Sequence, residues 1–156
     1  MCSVSINQKS QYLIRNSILK IDRGASRRIH MSEASKSQRR NYISAIEEYE
    51  ISSRIYVAST GYEKHEARPR ERCLKAIFQD YAESESITIE SGSVDHLDRN
   101  LINRSVSERI RFPRVMHIEP NREPLLWLPD IIAWAYGRGG EWKKSIEPLI
   151  EKVLIV

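Results

Sequence analysis

The chain has 156 residues, 29% of them charged, and its 25 Lys+Arg against 21 Asp+Glu give a formal net charge of +4. That length suits one domain with a single sizeable core, and the 40% hydrophobic content lies above the disordered range. No fixed-period repeat is present, which excludes solenoids and propellers, and the longest apolar stretch is broken by Pro129 and Asp130, which excludes a membrane span.

Residues 2–6 alternate like a short strand. Tyr12, Leu13, Ile14, Ile18, Leu19 and Ile21 recur at helical spacing, and Gly24 ends that helix. Residues 29–31 read as a short strand. Residues 35–50 read as a helix with Tyr42, Ile46 and Tyr49 on one face. Residues 53–59, SRIYVAS, form a β-rich run. The spacing predicts a helix over 66–81, with Pro69 in its first turn and Cys73, Leu74, Ile77, Phe78 and Tyr81 as its buried stripe. Residues 87–90 predict a strand closed by Ser91-Gly92, residues 94–109 a helix and residues 115–118 another strand. Residues 128–136 and 142–150 predict helices, and residues 153–156 a last strand. Strands alternating with helices of ten to fifteen residues indicate a layered α/β domain over 1–156.

Chemistry-bearing motifs are sparse. There is no GxGxxG, GxxxxGK[ST], GxSxG or HExxH. His30, His65, His96 and His117 have no ligand-like spacing. The N-terminus lacks a basic region followed by an apolar core, so no secretory leader is expected. Cys2 and Cys73 belong to no motif, which argues against a disulfide scaffold and makes a reducing cytoplasm the expected setting. Cys73 sits in a helical apolar stripe and reads as packing.

Acids at element ends are more informative. Glu90 ends the strand ITIE, where a carboxylate faces the crevice that binds ligands in α/β folds; its bland reading is an exposed strand-end Glu. Asp130 lies in LLWLPDIIAWAYG, where Leu128, Ile131, Ile132 and Ala135 define the packed face and Asp130, Ala133 and Gly137 the opposite edge. It reads either as a cation ligand or as a first-turn acid favoured by the helix dipole. Asp95 and Asp98, three apart, share a helix face as added metal ligands or as a cap. Glu33 follows the run IHM.

Arginine dominates two basic groups. The first, between residues 15 and 40, includes Arg27, Arg28, Arg39 and Arg40, with only Asp22 and Glu33 opposing it nearby. The second includes Arg99, Arg104, Arg109, Arg111 and Arg114. The planar fork of arginine suits phosphate, so nucleic acid is the expected partner; two solvated helix faces are the alternative. Trp127, Trp134, Tyr136 and Trp142 read as core or interface packing ahead of a base-stacking platform.

Residues 124–142, PLLWLPDIIAWAYGRGGEW, resemble the C-terminal helix of a bacterial and phage family of unknown function with a ribonuclease-H-like fold. In that family an apolar helix carries an Ala-Asp or Pro-Asp pair followed by small residues; here the pair is Pro129-Asp130. The segments IHMSEASKSQRR and ITIESGSVDHLDRN resemble the family's middle, in the same order. The resemblance implies a three-layer ribonuclease-H-like sheet with flanking helices. It implies Asp130 as the C-terminal acid, Glu90 as the mid-sheet acid and Glu33 as the second acid. The family's Asp-Glu-Ser box on the first strand is missing here, as though one or two N-terminal strands were lost. The implied activity is metal-dependent phosphodiester cleavage with Mg²⁺ or Mn²⁺ held by Asp130, Glu90 and Asp95, with Asp130, Glu90 and Glu33 as the catalytic acids. Two other expectations stand beside it: a module that binds nucleic acid through Arg27, Arg28, Arg39, Arg40, Arg99 and Arg104 without cutting, and a homo-oligomer formed through an exposed sheet edge at residues 2–6.

Overall fold

Two hydrophobic clusters organise the chain, each within its own compact unit. The computed structural model describes residues 1–59, 67–107 and 113–156. Arg109, Arg111 and His65 of the sequence reading lie outside them. Among the described residues the elements in chain order are β1 (Cys2–Ile6), α1 (Gln8–Leu19), α2 (Lys36–Glu47), β2 (Ile51–Val57), α3 (Ala67–Asp80), β3 (Ser86–Glu90), α4 (Asp95–Ser107), β4 (Arg114–Ile118), α5 (Trp127–Arg138), α6 (Gly140–Ile146) and β5 (Ile150–Ile155). Short 3₁₀ turns at Pro124–Leu126 and Glu147–Leu149 precede α5 and β5. Among the described residues no helix is long and apolar enough to cross a membrane.

The α/β class holds, with the strands divided between two sheets. One has the order β1-β2-β5, with β1 antiparallel to β2 from Cys2↔Ile55 to Ile6↔Ile51. That order leaves β1 at an edge, as expected for residues 2–6. The other pairs β3 and β4 in parallel, from Ser86↔Arg114 to Glu90↔Ile118.

The unit made of residues 2–55 and 120–153 packs α1, α2, α5 and α6 around one core. Leu128, Ile131, Ile132 and Ala135 are fully buried, which is the face that the 3.6-residue period selects. Local signals set the helix ends. Asn7 caps α1 by accepting from the Lys9 N–H, and Ser35 and Gln38 close a reciprocal capping box on α2. Ser53, buried in β2, donates to the Leu149 carbonyl at 2.7 Å.

Two expected elements change. Residues 29–31 form no strand: 29 and 30 are irregular, and a turn begins at 31. Side chains take their backbone groups: the Met31 N–H donates to Asp130, and the Met31 carbonyl accepts from Arg39. The helix expected over 142–150 ends at Ile146, because Pro148 imposes a 3₁₀ turn before β5.

The second unit, residues 56–119 with Met1 and 154–156, packs α3 and α4 on the β3–β4 pair. Its core holds Tyr56, Cys73, Leu74, Ile77, Phe78 and Leu101. Cys73 is indeed packing: it is 4% exposed.

Carboxylates in both units are held below their ordinary range. The Arg54 guanidinium and then the Ser52 hydroxyl lower Glu151, and Lys75, followed by Arg104, lowers Glu71. A depressed carboxylate contributes stability that is complete above its unfolded pKa and lost as pH falls through the folded one. The urea midpoint is therefore expected to hold from pH 7 to about pH 5 and to drop below the unfolded value near 4.5. A midpoint that rises on acidification overturns this assignment.

Candidate functional site

The parallel pair β3–β4 positions the densest group of ligand-type side chains. The pairing continues one step past β3, where the Ser91 N–H donates to the Ile118 carbonyl, and Gly92 then turns the chain into α4. Asp95 and Asp98 fall in the first turn of α4, where the helix dipole favours negative charge. Val115 and His117 share one face of β4 by strand alternation, and His117 lies opposite Ile89 in the register. One ligand atom each from Asp95, Asp98 and His117 lie within 4.8 Å of one another. Among the described residues this is the one such group of three. It sits at the carboxyl ends of the strands, where α/β sheets take ligands.

Each member is held in place. Asp98 is 1% exposed, and Arg70 of α3 grips it with two charge-assisted hydrogen bonds, Nε to Oδ1 at 2.9 Å and Nη2 to Oδ2 at 2.7 Å. That contact raises the Arg70 pKa further. His117 Nε2 lies 3.3 Å from Asp98 Oδ2, with the side chain 9% exposed. Asp95 accepts from the Ser91 hydroxyl at 2.6 Å and the Gly92 N–H at 2.7 Å. Those two bonds, the hydroxyl first, lower its pKa, and His117 adds to the effect.

Two carboxylates and an imidazole fit a divalent cation, and the mixed oxygen and nitrogen set suits Mn²⁺ better than Mg²⁺. Asp98 Oδ1 accepts one hydrogen from Arg70 and has a second lone pair to offer an ion, while Oδ2 meets both Arg70 and His117. The sequence offered Asp95 and Asp98 together, as added metal ligands or as a cap. The buried placement of Asp98 and the presence of Arg70 were not legible, because both depend on how α3 packs against α4. His117 did carry a signal, its shared face with Val115 in RVMHI.

The other sequence-selected acids are distributed as follows. Glu90, exposed at the end of β3, belongs to the same unit as Asp95. Asp130 and Glu33 belong to the other unit, where both reach His30. Asp130 Oδ2 lies 3.8 Å from His30 Nδ1, and Glu33 Oε1 lies 3.6 Å from Nε2. The two acids face opposite ring nitrogens, so an ion bonded at either nitrogen turns away from the other acid. Asp130 also accepts from the Met31 N–H at 3.3 Å and so anchors the turn before α2.

The arginines are more committed than their local sequence suggests. Arg39 donates to the Met31 and Ser32 carbonyls and stacks on Trp134 at 4.7 Å. Arg15 makes a two-pronged bond to Glu123, 108 residues away. Arg40 is within 3.7 Å of Glu141 and Arg104 within 3.0 Å of Glu71, while Arg27 and Arg99 stand exposed. Arg28 is partly buried, with its carbonyl accepting from Ser26. Trp127 is buried and donates to the Pro120 carbonyl, and Trp134 meets Trp142 edge to face at 5.4 Å, which is packing geometry. Compared with known protein families, characterised proteins and solved structures, the chain matches none.

Proposed function

We propose that this is a divalent-metal-binding protein of the ribonuclease-H-like kind that acts on nucleic-acid phosphodiesters, with its ion held by Asp95, Asp98 and His117. The observation that carries the reading is the convergence of those three ligand atoms within 4.8 Å at the carboxyl ends of a parallel strand pair. The resemblance of residues 29–40, 87–100 and 124–142 to that family supports this reading. A bound ion supplies Lewis acidity toward a phosphoryl oxygen. The chain's own part is positioning: Arg70 fixes the Asp98 rotamer, and Ser91 and Gly92 fix Asp95. A second reading, binding without cleavage, is favoured by the Arg70–Asp98 pair, which already compensates one of the ligand charges.

Calorimetric titration with Mn²⁺ tests the ion site. Wild-type protein is expected to bind one ion per chain, with Asp95→Asn and His117→Ala each weakening binding about 10- to 100-fold. Asp130→Asn is expected to leave Mn²⁺ affinity at its wild-type value and to cost up to about 1 kcal/mol in stability through the dipole. A wild-type chain that takes up no Mn²⁺ overturns the proposal, and so does one whose affinity survives loss of Asp95 and His117. Mn²⁺-dependent cleavage of a single-stranded oligonucleotide separates the enzyme from the pure binder.

A further inference from the structure

Between α3 and α4 lies a cavity of about 490 Å³, lined by Arg70, Glu71, Leu74, Asp98, Asn100 and Arg104 among others. Its volume falls in the range of small-ligand pockets. Asp98 belongs both to this wall and to the three-ligand group, so cavity and metal centre share a carboxylate. We infer that the cavity seats one nucleotide unit, with its phosphate against Arg70 and Arg104 and its binding coupled to the ion. The inference rests on the metal-centre reading and adds to it the size and chemistry of the ligand.

Three properties support it. The first is donor chemistry. Arg70 spends Nε and Nη2 on Asp98, and Arg104 spends Nη2 on Glu71, which leaves further N–H groups on both forks for phosphate oxygens. Glu71 is also held by Lys75 at 3.1 Å, so Arg104 can turn toward a ligand without leaving that acid unpaired. The second is the mixed wall: Leu74, Leu97 and Leu101 offer apolar surface to a sugar or base, and Asn100 offers a carboxamide to a base edge. The third is charge. Among the lining residues Glu71 and Asp98 balance Arg70 and Arg104, so the wall is neutral until a divalent ion beside Asp98 makes it net positive and favours a phosphate. Ion and phosphate must then favour each other by the same factor.

The test is calorimetric titration of the full chain with adenosine 5′-monophosphate, with and without Mn²⁺. AMP is expected to bind at least about tenfold more tightly with Mn²⁺ present, and adenosine, which lacks the phosphate, is expected to gain nothing. Arg104→Ala is expected to weaken AMP about tenfold and to leave Mn²⁺ binding alone unchanged. Arg122→Ala, an exposed arginine of the other unit and outside the cavity lining, is the control and is expected to leave AMP affinity unchanged. A 5′-phosphorylated trinucleotide that matches AMP identifies a strand end as the source of the unit; one that fails to bind identifies a free nucleotide. Intact Mn²⁺ binding with AMP affinity indifferent to Mn²⁺ or to Arg104→Ala overturns the nucleotide seat and leaves the metal centre standing. Failure of the metal centre shows separately, as absent Mn²⁺ heat without any nucleotide.

Discussion

Asp98→Ala is expected to destabilise the protein by about 3–5 kcal/mol, read as a lowered urea midpoint at unchanged m-value. The carboxylate is 1% exposed and accepts both prongs of Arg70, with His117 Nε2 at 3.3 Å beside it. Its removal strands a guanidinium that is 27% exposed and an imidazole that is 9% exposed, each without its Asp98 contact. The cost is mostly desolvation of charge left uncompensated rather than the net worth of the pair. Replacing both partners, as in Arg70→Met with Asp98→Leu, is therefore expected to recover most of the loss. Asp98→Asn should fall between, since the amide keeps the shape but presents N–H groups to Arg70 on one side. A cost of Asp98→Ala within about 0.5 kcal/mol of wild type would show that solvent already screens the pair.

Leu128→Ala is expected to cost about 2–5 kcal/mol by the same measurement. Leu128 is 0% exposed, on the face of α5 that also buries Ile131, Ile132 and Ala135. Deleting its branched carbons removes apolar burial and leaves a cavity that helical neighbours fill only in part. Leu13→Ala on α1 is the matched control. Leu13 is 66% exposed, so its truncation is expected to change stability by no more than about 0.5 kcal/mol. Equal costs at the two sites would contradict the assignment of α5 to the core.

Much of the fold was legible because its signals are local. The α5 stripe, the α3 stripe through Cys73, Leu74, Ile77 and Phe78, and the strand runs read at 53–59 and 115–118, which the structure places at 51–57 and 114–118, follow from hydrophobic period and turn residues. The failure at residues 29–31 has a definite cause. A three-residue apolar run does not say whether its backbone groups will meet another strand, and here Asp130 and Arg39 satisfy them instead. The basic group at residues 15–40 was similarly opaque. Counting only nearby acids missed Glu123 and Glu141, which lie about a hundred residues along the chain and pair with Arg15 and Arg40.

The sequence by itself determined the α/β class, most of the elements and their inward faces, because periodicity, caps and strand ends act over a few residues. Only the tertiary structure decided that the strands form two sheets, that Asp98 is buried on Arg70, that His117 completes the three-ligand group, and that Asp130 and Glu33 share His30 instead. Those outcomes depend on contacts between residues distant in sequence, where the free energy of a side chain is set by its partners' burial and charge rather than by its neighbours in the chain.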